Sequence, residues 1–168
     1  MKQFTLFLIA ALYVTSLGLA QTNTNYGTNT NYGTNAGNAG SHNSSVGYEA
    51  GDVVTGDYNS FFGYKAGQAT TSGNSNIFVG GQAGKNNTTG SKNIFMGRNA
   101  GYHNTTGFSN ISIGYNAGKN NTTGYYNTFM GSSAGFSNTT GYYNTFMGRN
   151  AGFSNTTGKN NTFMGRLA

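Results

Sequence analysis

The sequence predicts an all-β fold, a parallel β-roll or β-solenoid wound from coils of 14–17 residues. Three observations predict it. Glycine recurs every seventeen positions at Gly63, Gly80, Gly97, Gly114, Gly131, Gly148 and Gly165, and Gly47 and Gly33 extend the file upstream at spacings of sixteen and fourteen. Alanine stands three residues after each of these glycines, from Ala36 and Ala50 through Ala100, Ala117, Ala134 and Ala151 to Ala168. Asparagine stands four residues before each glycine from Gly47 onward, as at Asn93, Asn110, Asn127, Asn144 and Asn161. A unit this short cannot enclose a core alone. It can form one turn of a stack whose backbone is paired by the turns on either side.

Residues 1–20 form a different object. Met1-Lys2-Gln3 is a short basic start, the stretch from Phe4 to Leu19 is mostly apolar, and Gly18-Leu19-Ala20 is a small-x-small cleavage site. This pattern reads as a secretory signal, with the mature chain starting at Gln21. The apolar stretch is short and carries Thr5, Thr15 and Ser16, which weighs against a membrane anchor, so no span is expected in the mature chain. The chain has no cysteine, so an oxidising compartment would add no disulfides. Residues 21–32 repeat Thr-Asn-Thr-Asn-Tyr-Gly. They read as a polar, low-complexity leader, or as an arm that adds a strand to a neighbouring subunit.

The repeat domain is assigned to residues 33–168. Before each ladder glycine lies a short strand such as Asn93-Ile94-Phe95-Met96. Alternation puts Ile94 and Met96 on one face and Asn93 and Phe95 on the other. One phase places Met96, Ile113, Met130 and Met147 inside the coil with Ala100, Ala117, Ala134 and Ala151. Phe61, Phe78, Phe95, Phe129, Phe146 and Phe163 then point outward, about 4.8 Å apart per turn and interrupted at Ser112. A stripe of that size exceeds what a soluble monomer exposes, so sister chains would cover it in a trimer or filament. Its burial would contribute on the order of 10–15 kcal/mol per chain before entropy. The opposite phase, with phenylalanine inside and methionine outside, is the alternative that the pattern leaves open. The asparagine column reads as a ladder of stacked amides.

Between the Ala-Gly pair and a second glycine file the spacing varies, from two residues between Gly37 and Gly40 to five between Gly101 and Gly107. Tolerated length change reads as a surface loop. The later loops are Asn-Thr-Thr-Gly, so Thr106, Thr123, Thr140 and Thr157 recur at one offset and are candidates to face a ligand or ice. Asn104-Thr105-Thr106 and its equivalents also match a glycosylation acceptor pattern.

Asn-Thr-Phe-Met-Gly-Arg-Asn-Ala-Gly, residues 144–152, resembles the repeat of YadA-like heads of trimeric autotransporter adhesins. The longer Asn-Thr-Thr-Gly turns also resemble repeats of bacterial surface and tail-fibre-like proteins. The resemblance covers about residues 33–168. It implies a parallel β-roll, three chains about one axis, and adhesion to host or matrix surfaces. The coiled-coil stalk and membrane-anchor barrel of that family have no counterpart in this sequence.

Little points to catalysis. His42 and His103 lie in different turns, and the only acids, Glu49, Asp52 and Asp57, cluster in one turn without a Gly/Asp calcium repeat. No triad recurs, no zinc spacing or phosphate loop appears, and no cofactor is expected. Glycan hydrolysis lacks its usual acid pairs. Without Lys2, eight basic and three acidic residues leave a mature charge of +5. Arg98 and Arg149 occupy equivalent positions and are candidates to face an acidic glycan or surface, though general solubility explains the charge as well and no specific nucleic-acid partner is expected. Tyr125, Tyr126, Tyr142 and Tyr143 could stack on sugar rings or pack between chains. The last residues, Gly165-Arg166-Leu167-Ala168, begin a further turn, which predicts either a longer parent protein or head-to-tail contact between subunits. The expectation is a secreted, non-enzymatic fibre or adhesin head at a bacterial surface, self-associating as a homotrimer or filament, with glycan, matrix or host surface as ligand.

Overall fold

The computed structural model describes residues 29–33, 36 and 40–168. The signal sequence and residues 21–28 of the leader lie outside the described residues. The chain is all-β. Among the described residues there are nine strands: β1 (Thr30–Tyr32), β2 (Ser44–Val46), β3 (Ser60–Phe62), β4 (Ile77–Val79), β5 (Ile94–Met96), β6 (Ile111–Ile113), β7 (Thr128–Met130), β8 (Thr145–Met147) and β9 (Thr162–Met164). They form one parallel sheet in sequence order. Equivalent residues pair throughout, for example Phe78 with Phe95 and Phe129 with Phe146. The result is a β-solenoid in which each strand belongs to a successive turn. Residues 30–32, assigned from sequence to the leader, are the first rung and pair with Ser44–Val46.

Ladder glycines turn the chain at the end of each strand. Gly97 has φ of 132°, and a Cβ there would sit 2.6 Å from the carbonyl oxygen of Gly114 in the next turn. Only glycine permits this close stacking of backbone on backbone. The following turn closes with Ala100 N–H donating to Gly97 C=O at 3.1 Å.

The interior corrects the strand phase. The outward assignment of Phe61, Phe78, Phe95, Phe129, Phe146 and Phe163 is wrong, as is the inward assignment of Met96, Ile113, Met130 and Met147. The first five phenylalanines are at most 1 % exposed and Phe163 packs partly buried behind them, whereas Met96 is 40 % exposed. Met130 also lies at the surface, and Ile113 and Met147 are half-buried on the same outer face. The physical cause lies six residues further on. Gly101 has φ of 57°, and a Cβ on it would lie 2.5 Å from the Phe95 ring. The Ala-Gly corner therefore leaves a flat space that an aromatic ring fills and a methionine at the neighbouring strand position cannot reach. The alanines 100, 117, 134 and 151 are buried as expected.

The rings stack from turn to turn, with centroids 4.8 Å apart for Phe78–Phe95 and 4.9 Å for Phe146–Phe163. Ser112 divides the core into two clusters, one ending at Ala100 and one beginning at Ala117.

Two asparagine ladders line the rest of the interior. In the first, the Asn110 N–H donates to Asn93 Oδ1 at 2.9 Å, and Asn110 Nδ2 donates to Gly124 O at 2.8 Å and to Asn93 Oδ1 at 3.2 Å. The same pattern repeats at Asn127 and Asn144, and Asn161 makes both bonds to Asn144 Oδ1. The second ladder lies where the sequence reads as a surface loop. Asn104 is fully buried, and its Nδ2 donates to Asn87 Oδ1 at 2.7 Å and to Gly107 O at 3.0 Å. The loop is thus a second stacked segment: Thr88, Thr105 and Thr122 N–H each donate to the equivalent threonine carbonyl of the next turn at 2.9 Å. Its length changes only in the turns before Gly67, and Val54 and Thr70 stand in place of asparagine in the file.

Thr70 Oγ1 is buried without a hydrogen-bond partner. The Thr70→Asn variant places an acceptor where Asn87 Nδ2 lacks the inter-turn partner that Asn104 has. It is expected to stabilise the chain by about 1 kcal/mol in urea denaturation; an unchanged or lower midpoint would show that the file has no room for a sixth amide.

Candidate functional site

With the rings inside, three features remain outside. The first is the outer face of the sheet. Each three-residue strand turns its first and last side chains outward, and this face is apolar along most of its length. Val46, Phe62, Ile77, Met96, Met130 and Met164 are exposed, and Val79, Ile94, Ile111, Ile113 and Met147 are half-buried. Eight inter-strand steps make the strip roughly 38 Å long. Sequence reasoning missed this face. The signal was present in the variety of the file: valine, phenylalanine, methionine and isoleucine all occur there, whereas the phenylalanine file admits one ring shape from Phe61 onward except at Ser112. A packed site accepts one shape; an outer face accepts many.

The second feature is aromatic. Phe108, Tyr125 and Tyr142 stack face to face at 5.0 and 4.8 Å, and Tyr126 and Tyr143 form a second file at 5.2 Å. The Lys159 ammonium lies 5.6 Å from the Tyr142 ring centre. Stacked rings cover both faces of Tyr125 and one face each of Tyr126, Tyr142 and Tyr143, and Lys159 lies over the Tyr142 ring. That geometry disfavours the sugar stacking anticipated for Tyr125 and Tyr142, whereas Tyr126 and Tyr143, about half exposed, each keep one face that no ring covers.

The third feature is the threonine segment. Thr106, Thr123, Thr140 and Thr157 are exposed, one per turn. The preceding threonines are tied down, with Thr105 Oγ1 donating to Thr122 O at 3.1 Å and Thr122 Oγ1 to Thr139 O at 3.1 Å. Within this segment one hydroxyl file therefore stands free of backbone bonds. Arg98 and Arg149 are exposed as well, but on a separate segment, just after the ladder glycines. Tyr115 and Ser132 occupy the same position in the two turns between them, so the arginines do not form a continuous basic stripe.

The titratable residues are dispersed. Glu49 bonds Tyr48, Lys65 and Gln68, with the Lys65 ammonium 3.3 Å away. The Tyr48 hydroxyl, then Lys65, hold its carboxyl below the usual range, and Glu49 in turn raises Lys65. This knot ties adjacent turns. Burial and then the nearby Lys119 lower the pKa of His103. Among the described residues no group of three or more His, Asp or Glu side chains could hold a metal ion. In the Asn-Thr-Thr segments Asn87, Asn104, Asn121 and Asn138 are buried with Nδ2 committed to hydrogen bonds, so the folded stack does not offer these four for glycosylation.

The fold defines the chain as a β-solenoid repeat protein. Comparison with protein-family models, curated proteins and solved structures gave no match.

Proposed function

We propose that the chain is a non-catalytic, secreted structural or adhesive protein, an elongated β-roll head or fibre at a bacterial surface that works as a self-associated assembly. The outer face of the sheet carries this reading. It is a continuous apolar strip on a molecule whose interior is already filled by stacked rings and amides. A strip of that length exceeds the apolar patches of ordinary monomers. Sister chains, three about one axis or more along a filament, are the occupants that match its repeat. Adhesion to glycan, matrix or host surface would then use the remaining sides of the rod.

The test is the mass of the mature chain in solution combined with electron microscopy. Compact oligomers support the head and long polymers the fibre; monodisperse monomeric rods would overturn the proposal. Met96→Lys with Met130→Lys is expected to reduce the assembly to monomers while β circular dichroism persists. The exposed file of Thr106, Thr123, Thr140 and Thr157 supports a second reading, ice binding, which a thermal hysteresis measurement decides.

A further inference from the structure

Four tyrosines meet on one side of the stack. Tyr125 and Tyr142 are parallel within 5°, with ring centres 4.8 Å apart, and Tyr126 and Tyr143 are parallel within 4° at 5.2 Å. The two files touch edge to face, at 5.8 Å for Tyr125–Tyr126 and 5.5 Å for Tyr142–Tyr143. Tyr126 and Tyr143 are about half exposed. The geometry points to this cluster as a site of oxidative modification, where a dityrosine bond joins successive turns of one chain, Tyr126 to Tyr143 first.

The oxidant is of the haem peroxidase class acting with hydrogen peroxide. Each of two phenols gives up one electron and one proton to become a phenoxyl radical. The radicals pair into one carbon–carbon bond between ring positions ortho to the oxygens. Each joined ring then moves its ortho hydrogen, as a proton, to the oxygen and regains the phenol. Two hydrogen atoms leave the protein, and one peroxide becomes two waters.

Stacking decides which tyrosines couple. Radical pairing competes with escape and with repair, so a partner already in contact is favoured over one that must diffuse. In a parallel stack, the ortho carbons of one ring lie over those of its neighbour, and the exposed outer edges leave room for the rings to tilt together. The edge contacts let a radical formed on any of the four reach the others. Phe108 ends one file without a phenol and Lys159 ends it at the other side, so the reactive cluster is these four residues. Tyr48 and Tyr64 also stack, at 5.7 Å, but the Tyr48 hydroxyl is engaged by Glu49. Among the described residues Tyr58 stacks on His42, and Tyr102 contacts His103.

The placement of methionines allows a direct test on the full mature chain, whether it is a monomer or an assembly. Cyanogen bromide cleaves after Met96, Met130 and Met147, and the fragment 131–147 contains only Tyr142 and Tyr143. Dilute protein treated with peroxidase and peroxide is expected to show dityrosine fluorescence. Its denatured mass should be that of a single chain lighter by two hydrogens per link. After cleavage, fragments 97–130 and 131–147 should remain joined. Tyr126→Phe with Tyr143→Phe keeps the ring stack and is expected to lose most of the joined product. The further changes Tyr125→Phe and Tyr142→Phe should abolish it, with circular dichroism confirming the fold. Separation of the two fragments, links only between different chains, absence of dityrosine, or undiminished joining in the fourfold variant would each overturn the proposal.

Discussion

Replacing Gly114 with alanine is expected to destabilise the stack by roughly 3–5 kcal/mol, from backbone strain and from overpacking against an immobile neighbour. Gly114 has φ of 134°, and the added Cβ would lie 2.6 Å from the carbonyl oxygen of Gly131 and 2.7 Å from its carbonyl carbon. Neither atom can retreat without opening the bonds that hold successive turns, such as Gly131 N–H to Ile113 O at 2.8 Å. Gly81 provides the control. A Cβ there meets nothing within 4 Å and its φ is unremarkable, so Gly81→Ala is expected to stay within about 0.5 kcal/mol of the parent. Urea denaturation followed by circular dichroism compares the two. Equal effects would mean that the stacking glycines are not selected by backbone contact.

Phe146→Ala is expected to cost about 3–5 kcal/mol, the usual range for deleting a buried ring. The ring has no exposure, lies between Phe129 and Phe163 at 5.3 and 4.9 Å, and covers Gly152, which has no side chain to collapse into the void. Met130→Ala on the outer face of the neighbouring turn removes a side chain that is 36 % exposed, and should cost a dilute chain about 1 kcal/mol or less. The order of these two losses distinguishes the strand phases. A larger loss at Met130 would put methionine back inside. Phe129→Ser with Phe146→Ser should accordingly unfold the second core cluster rather than merely dissociate an assembly.

Each element carried a different amount of its structure in plain view. The strands before Gly97 and Gly114 were legible because asparagine, an apolar triplet and glycine recur at constant offsets, and the pairing of Phe95 with Ser112 follows from that spacing alone. The Asn110 ladder was legible for the same reason. The Asn104 ladder was not, because its position after a segment of changing length has the signature of a loop. The length is constant from Gly67 onward, but the amides stack only from Asn87, because Thr70 holds that place in the turn before. The leader was cut too late because Thr30-Asn31-Tyr32 belongs to a polar Thr-Asn-Thr-Asn-Tyr-Gly repeat, although its backbone pairs with β2 as the later strands pair with one another.

The candidate surface was misplaced for one physical reason. A short strand with apolar residues on both faces satisfies alternation in either phase, so periodicity determines which residues share a side but not which side is dry. Sequence by itself determined the length of the coil, the parallel order, the register and the need for glycine at each turn. The tertiary structure alone decided the phase, because the void above the left-handed Ala-Gly corner exists only once the coil is closed, and it has the shape of a phenyl ring. That choice moved methionine, valine and isoleucine to the exterior, where they form the face that sister chains are proposed to cover.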